Sequence, residues 1–146
     1  MTIEGSTETE LVFDGCNIPT YRALIYNDGI LNINDYTVIM NNTNDETNGG
    51  GIENNGLLNI NGGVITGDSA AGSGGGIING GELYINGGLI TNNACLSSES
   101  GIVNSGDVIM DGGIISHNSG ICIQNYGTFT MNGGCIIDNE SEGNCI

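Results

Sequence analysis

A repeated motif constrains the fold of this chain more than any other feature of its sequence. Segment 51–66 recurs 25 residues later as 76–91, a third copy begins at Gly101, and a fourth copy follows 21 residues further on. Segment 25–34 is a degenerate copy upstream, and segment 10–15 matches the middle of the unit. Self-similarity at a period of about 20 to 50 residues is typical of solenoids, in which each repeat is one structural unit. The chain is therefore predicted to fold as a stack of similar coils.

Apolar residues occupy equivalent positions in successive copies and so form columns. The first predicted column is Ile25, Ile52, Ile77, Ile102, Ile123 and Ile146, and the second is Leu11, Leu31, Leu58, Leu83, Val108 and Phe129. The third is Phe13, Ile33, Ile60, Ile85, Met110 and Met131, and the fourth is Ile18, Val38, Ile65, Ile90, Ile115 and Ile136. Within a copy, Leu58 and Ile60 alternate with Leu57 and Asn59, which is the period of a β-strand. Each copy is thus predicted to supply about three short strands.

Stacking follows because no single copy can bury its apolar side chains alone, whereas stacked copies place like residues ~4.8 Å apart. The prediction is an all-β chain that forms a single parallel β-helix of about six coils over residues 1–146, with 21–27 residues per coil. Residues 1–23 would form a degenerate N-terminal coil, and residues 24–146 would carry the clear repeats. A coil of this length with unequal strands favours the three-sided parallel β-helix.

Asparagine forms two polar columns at the ends of the predicted strands. One column is Asn27, Asn54, Asn79, Asn104 and Asn125, and the other is Asn34, Asn61, Asn86, Asp111 and Asn132. Gly follows closely after most of them, and both residue types tolerate the positive φ angles that tight corners need. Stacked Asn side chains can also hydrogen-bond from coil to coil. These columns are therefore predicted to be structural rather than to bind a ligand.

The charge of the chain is one-sided because Arg22 is its only Lys or Arg, against 17 acidic residues, for a net charge of −16. Affinity for nucleic acid and for anionic membranes depends on Lys and Arg, so neither is expected as a partner. The corner segments of variable length are acidic at Asp45, Glu46, Glu99, Glu140 and Glu142. Such an edge could bind Ca²⁺, but neither the EF-hand pattern nor the GGxGxDxUx nonapeptide occurs, and the chain is predicted to need no cofactor.

The five cysteines cannot form a complete internal disulfide framework, because their number is odd. Cys122 and Cys145 share a column and are near enough to bridge, but buried thiols that pack as small apolar groups are the expected state. Cys95 lies on the variable edge and is the thiol expected to cross-link chains.

An enzymatic role is the alternative that the acidic residues raise. Glu82 and Asp107 are predicted to lie one coil apart, and paired carboxylates can cleave glycosides. Arg22 falls in the degenerate N-terminal part and His117 on a corner, so no basic group would stabilise a developing anion beside the pair. The chain is therefore predicted not to be an enzyme, with a carbohydrate-binding or polysaccharide-degrading β-helix as the alternative.

The unit reads GGGIxNxGxLxINGGxIT, which resembles the repeats of polymorphic outer-membrane proteins and adhesin-like surface proteins over residues 24–146. The resemblance implies a right-handed parallel β-helix that serves as a passenger or stalk, and an extracellular or cell-surface location. Host or cell-surface glycans and proteins are then possible partners. The chain opens with no signal peptide, and its apolar runs fall short of the ~18 residues of a membrane span, so it could be part of a longer protein.

The ends of the chain carry no recognisable cap, although uncapped solenoid ends expose unpaired backbone. The nearly uncharged C-terminal residues Gly143, Asn144, Cys145 and Ile146 are predicted to form an assembly end that meets another copy. Such a head-to-tail contact propagates as a fibre because it need not close. The predicted function is a non-enzymatic structural or adhesive β-solenoid, either a unit of a surface adhesin or of an extracellular fibre.

Overall fold

The strands of this chain stack in parallel sheets that wind into a β-solenoid of about five turns, close to the six predicted. The computed structural model describes residues 1–95 and 101–140. Throughout those residues the secondary structure is β-strand and turn, and no helix occurs. The predicted all-β parallel solenoid is therefore confirmed.

Each turn crosses four parallel sheets, numbered here in the order in which the chain visits them. Sheet 1 contains β4 (Ile25–Asn27), β8 (Ile52–Asn54), β12 (Ile77–Asn79), β16 (Ile102–Asn104) and β19 (Ile123–Asn125). Sheet 2 contains β1 (Thr2–Ile3), β5 (Ile30–Ile33), β9 (Leu57–Ile60), β13 (Glu82–Ile85), β17 (Asp107–Met110) and β20 (Thr128–Met131). Sheet 3 contains β2 (Leu11–Asp14), β6 (Thr37–Met40), β10 (Val64–Thr66), β14 (Leu89–Thr91), β18 (Ile114–Ser116) and β21 (Cys135–Ile137).

Sheet 4 is narrow and consists of the two-residue strands β3 (Pro19–Thr20), β7 (Thr43–Asn44), β11 (Ser69–Ala70) and β15 (Ala94–Cys95). The expectation of about three strands per repeat missed it. These strands open the corner segments of variable length, in which neither the length nor the residue types repeat well. The fourth sheet is identified by backbone pairing, as between Ser69 and both Thr43 and Ala94.

The core of the solenoid is the set of inward columns, and in the central coils these columns are the predicted ones. Ile60 pairs in register with Ile33 and Ile85, and Ile85 pairs with Met110. All four side chains are at most 1% exposed. Complete burial of such a side chain contributes ~1.5–3 kcal/mol, so the stacked columns are the main source of cohesion between coils.

The first coil departs from the predicted columns. Ile39, not Val38, pairs with Ile65 and is fully buried. The reason is that Ile39 comes six positions after Ile33, whereas Ile65 comes five positions after Ile60. The extra residue lies in the corner after β5. A one-residue shift moves a side chain to the opposite face of a strand, and Val38 therefore points outward.

The N-terminal strands consequently stack on different partners from those predicted. Leu11 pairs with Thr37 and Phe13 pairs with Ile39, both in sheet 3, while β1 takes the place in sheet 2 that Leu11 and Phe13 were expected to fill. Ile18 is 63% exposed and belongs to no core column. The alignment of segment 10–15 with the middle of the motif was therefore wrong, because this segment forms a strand of sheet 3 rather than of sheet 2.

Candidate functional site

The first ladder, formed by the first predicted asparagine column, runs through the buried corner between sheets 1 and 2. Its amide nitrogens donate in one direction, from Asn27 to Asn54, Asn54 to Asn79, Asn79 to Asn104 and Asn104 to Asn125, at 2.7–2.8 Å. Asn79 also donates to the carbonyls of Gly81 and Asp107. Because a buried amide is costly unless it is hydrogen-bonded, this continuous row satisfies the polar interior at that corner.

The second ladder, formed by the other predicted column, lies mostly in solvent and is interrupted. Asn61 donates to Asn34 and Asn86 donates to Asn61, both at 2.9 Å, and Asn132 donates to Asp111 at 2.8 Å. A carboxylate at Asp111 has no N–H to donate to Asn86, so the row breaks between these two residues. Exposed bonds of this kind compete with water and stabilise the coils less than the buried ladder does.

A third ladder was missed by sequence reasoning. It consists of Asn42, Asp68, Asn93, Asn118 and Asn139, and the backbone N–H of each of the first four donates to Oδ1 of the next at 2.9–3.0 Å. The first four side chains are at most 1% exposed. Their spacing of 26, 25, 25 and 21 residues follows the period of the motif. That signal was available, but it lies just before the variable segments, where the copies are hardest to align.

Asp68 is the one rung of the third ladder that is not an amide. Its Oδ1 accepts the Asn42 N–H at 2.9 Å, whereas its Oδ2 is buried with no hydrogen-bond partner. The pKa of Asp68 is raised to about 7, chiefly by burial; the bond from Asn42 lowers it and the nearby Asp14 carboxylate raises it. Such a group titrates near neutral pH, far from its ordinary range.

The two ends of the described stack leave core columns uncovered. The C-terminal face consists of β19, β20 and β21, and the N-terminal face consists of β1 to β4. Met131 on the C-terminal face is 43% exposed, although the residues beneath it in the same column are fully buried. Phe129 and Ile136 beside it, and Phe13 on the N-terminal face, are only partly buried. Both faces therefore present apolar side chains together with strand edges that have no partner strand in the described part of the chain.

The carboxylates considered for glycoside chemistry lie on an outward position of sheet 2. Glu82 and Asp107 are directly paired in register, Tyr84 Oη donates to Glu82 at 3.4 Å, and Thr128 donates to Asp107. Arg22 lies between β3 and β4, where residues 20–24 line a shallow cavity of about 350 Å³ with Asn42. The structure therefore does not bring the only arginine next to the carboxylate pair.

His117 is exposed at the corner after β18, with a φ of 54°. The acidic edge is represented by Asp45 and Glu46 after β7 and by Glu140, which bridges to Ser119. Glu99 and Glu142 lie outside the described residues. Within residues 1–95 and 101–140, no three His, Cys, Asp or Glu side chains are grouped so that they could hold a metal ion.

The cysteines differ from the expectation of reduced thiols in one case. Cys122 is fully buried and disulfide-bonded. Neighbours in a column lie ~4.8 Å apart, within the Cα separation that a disulfide spans, and this makes such a position suited to oxidation. Cys16 and Cys135 are exposed free thiols, and Cys95 is half-buried at the end of β15. Cys145 and the rest of the predicted assembly end, Gly143, Asn144 and Ile146, lie outside the described residues.

Comparison with known proteins gives this chain no relative. No family model, curated protein or solved structure matches it. In the part of the chain that the structure describes, no helix is long and apolar enough to cross a membrane.

Proposed function

We propose that this protein is a non-enzymatic structural solenoid that associates end to end with further copies of itself, as a fibre or as part of a surface stalk. The observation that carries the proposal is the exposure of a core column at the C-terminal end, with Phe13 and Ile25 only partly buried at the N-terminal end. Ile33, Ile60, Ile85 and Met110 are at most 1% exposed in the interior, while Met131 in the same column is 43% exposed. An apolar surface at which a core column ends is stabilised when another surface covers it and continues the column.

The strand registers support a second copy as the group that covers each end. If the next copy continued the stack in register, Met131 would lie against its Ile3 and Ile136 against its Phe13. Each contact repeats an apolar pairing already present between internal coils. The interface would thus extend two existing columns without a new packing arrangement.

The first ladder supports the same orientation through its hydrogen-bond polarity. Its amide nitrogens all donate toward the C-terminal face, and Asn125 on that face donates only to Gly127 within the described residues. On the N-terminal face, the Asn27 Oδ1 accepts only the Gly29 N–H among the described residues, at 3.2 Å. A carbonyl oxygen has two lone pairs, so Asn27 of one copy can also accept from Asn125 of another. The contact is therefore head to tail rather than two-fold symmetric.

The charge makes this association dependent on salt. With a net charge of −16, two copies repel each other at low ionic strength. The screening length falls from about 10 Å at 0.1 M salt to about 3 Å at 1 M. We therefore expect association to strengthen with salt, and with concentration at fixed salt.

Sedimentation velocity across a range of protein and salt concentrations tests the proposal. Met131→Asp places a charge on the C-terminal face and should abolish association, whereas Ile114→Asp should not. Ile114 is a matched control because it is 42% exposed on the outer side of sheet 3, in β18, which β21 separates from the C-terminal face. Circular dichroism verifies that both variants fold. A wild-type chain that stays monomeric at high concentration in 1 M salt, or equal loss of association in both variants, contradicts the proposal.

An extracellular or cell-surface location is part of the proposal, and the disulfide at Cys122 supports it. Disulfides persist mainly in oxidising environments outside the cytosol. Non-reducing electrophoresis distinguishes end-to-end association from cross-linking through Cys95. The native reading frame separates the two structural roles, because further repeats with an anchor indicate a surface stalk and a stand-alone frame indicates a fibre subunit.

A further inference from the structure

The side chain of Asp68 occupies the position of an amide in the third ladder. A Cβ added at Gly51 would lie 2.5 Å from Asp68 Oδ2, and a Cβ added at the equivalent Gly76 would lie 2.8 Å from Asn93 Nδ2. The backbone N–H of Asp68 also donates to Asn93 Oδ1, as the other rungs do. Oδ2 of Asp68 therefore stands where the neighbouring rung has an amide nitrogen.

That amide nitrogen has a defined acceptor in the other coils. Nδ2 of Asn93 donates to the Ile65 carbonyl and Nδ2 of Asn118 to the Ile90 carbonyl, both at 3.1 Å. Asn139 repeats the bond to Ile115 at 3.0 Å. In each case the acceptor belongs to the preceding coil. In the coil that precedes Asp68, the residue that pairs in register with Ile65 is Ile39. The acceptor that corresponds to Asp68 is thus the Ile39 carbonyl.

We propose that Asp68 is a neutral carboxylic acid in the folded solenoid, that its Oδ2–H donates to the Ile39 carbonyl, and that loss of this proton weakens the junction between the first two coils. A protonated carboxyl has one O–H donor and so reproduces the bond of an asparagine. An ionised carboxylate would instead leave an unpaired charge facing a carbonyl oxygen in a buried site.

The surroundings of Asp68 favour the neutral form. The neighbouring rungs Asn42 and Asn93 are uncharged, and so is Gly51, the residue opposite. The charged group that acts on Asp68 is the carboxylate of Asp14, which is negative and opposes ionisation. The guanidinium of Arg22 gives no compensation, because Arg22 meets this ladder through its backbone carbonyl, which accepts from Asn42.

The sign of the pH dependence follows from the two protonation equilibria. In the unfolded chain the Asp68 pKa is near 3.8, and in the folded chain burial raises it to about 7. Between these values the unfolded state releases a proton that the folded state keeps, so stability falls as the pH rises. The contribution of Asp68 to the unfolding constant grows up to about tenfold per pH unit in this window and levels off above pH 7.

Urea denaturation of wild type and Asp68→Asn from pH 4 to 8 tests the proposal at concentrations where both are monomeric. Asn restores the amide donor without a titrating group. The ratio of the wild-type to the variant unfolding constant should therefore rise with pH, by up to about a thousandfold, and then become constant. Asp111→Asn removes the same charge from the exposed second ladder and controls for the general effect of charge.

Two results overturn the proposal. One is a ratio for Asp68→Asn that changes with pH no more than the ratio for Asp111→Asn does. The other comes from the ¹³Cγ chemical shift of Asp68 in the folded protein, which reports its protonation directly. A titration midpoint in the ordinary range of aspartate, rather than near neutral pH, would contradict the neutral acid.

Discussion

At the scale of single residues, the contribution of an asparagine depends on which ladder it belongs to. Asn79 in the first ladder is fully buried and makes four hydrogen bonds through its side chain. Asn86 in the second ladder is exposed and donates one bond, to Asn61. Water can replace the bond of Asn86, whereas the bonds of Asn79 to its two neighbours in the ladder are buried. Two residues that look alike in the repeat thus carry different shares of the stability.

We predict that Asn79→Ala lowers the free energy of unfolding by about 1–3 kcal/mol, the typical cost of leaving buried polar groups unpaired. Asn86→Ala is the matched control and should change it by no more than about 0.5 kcal/mol. The measurement is urea denaturation followed by circular dichroism. Equal effects of the two substitutions would show that burial does not distinguish the ladders.

At the scale of elements, the corners after sheet 1 require glycine because each is covered by the backbone of the coil before it. A Cβ at Gly81 would lie 2.1 Å from the carbonyl oxygen of Gly56, and backbone atoms cannot move aside as a flexible side chain can. Gly29 is the equivalent residue on the N-terminal face, and a Cβ there would meet nothing within 4 Å. The same residue type at the same corner is therefore under different constraints.

Gly81→Ala should consequently destabilise the fold by about 3 kcal/mol or more, at the upper end of the cost of overpacking. Gly29→Ala should stay within about 0.5 kcal/mol of wild type. Thermal and urea denaturation of the two variants measure the difference. If Gly81→Ala were as stable as Gly29→Ala, the close approach of successive corners would be wrong.

The elements also show where the sequence pattern was sufficient and where it was not. In the central coils, the Gly-Gly corner keeps successive inward positions five apart in sequence, so Ile60 and Ile65 were placed in the correct columns. In the first coil, Asp35, Tyr36 and Thr37 stand in place of the two glycines and so add a residue, which the spacing alone could not reveal. Asp68 was missed for a related reason. Its ladder begins a segment of variable length, and its function depends on burial that only the stacked coils create.

At the scale of the whole molecule, the sides and the ends of the solenoid have opposite properties. The sides carry acidic groups that keep copies apart, whereas the ends present open apolar columns and an unfinished first ladder. A molecule of this kind gains most from contacts along its own axis. The register of such a contact is set by corners as well as by columns, since each internal corner glycine lies close beneath a carbonyl of the neighbouring coil.

This register gives a test in which the folded monomer is left intact. In an end-to-end stack, Gly29 of one copy would be covered by the Gly127 carbonyl of another. Internal corners place that oxygen 2.0–2.2 Å from an added Cβ. Gly29→Ala should therefore abolish association in sedimentation velocity while the unfolding transition stays unchanged. Ser105→Ala, an exposed corner substitution in a central coil, should associate like wild type. Normal association of Gly29→Ala would exclude stacking in register, because the added methyl group has no space in that contact.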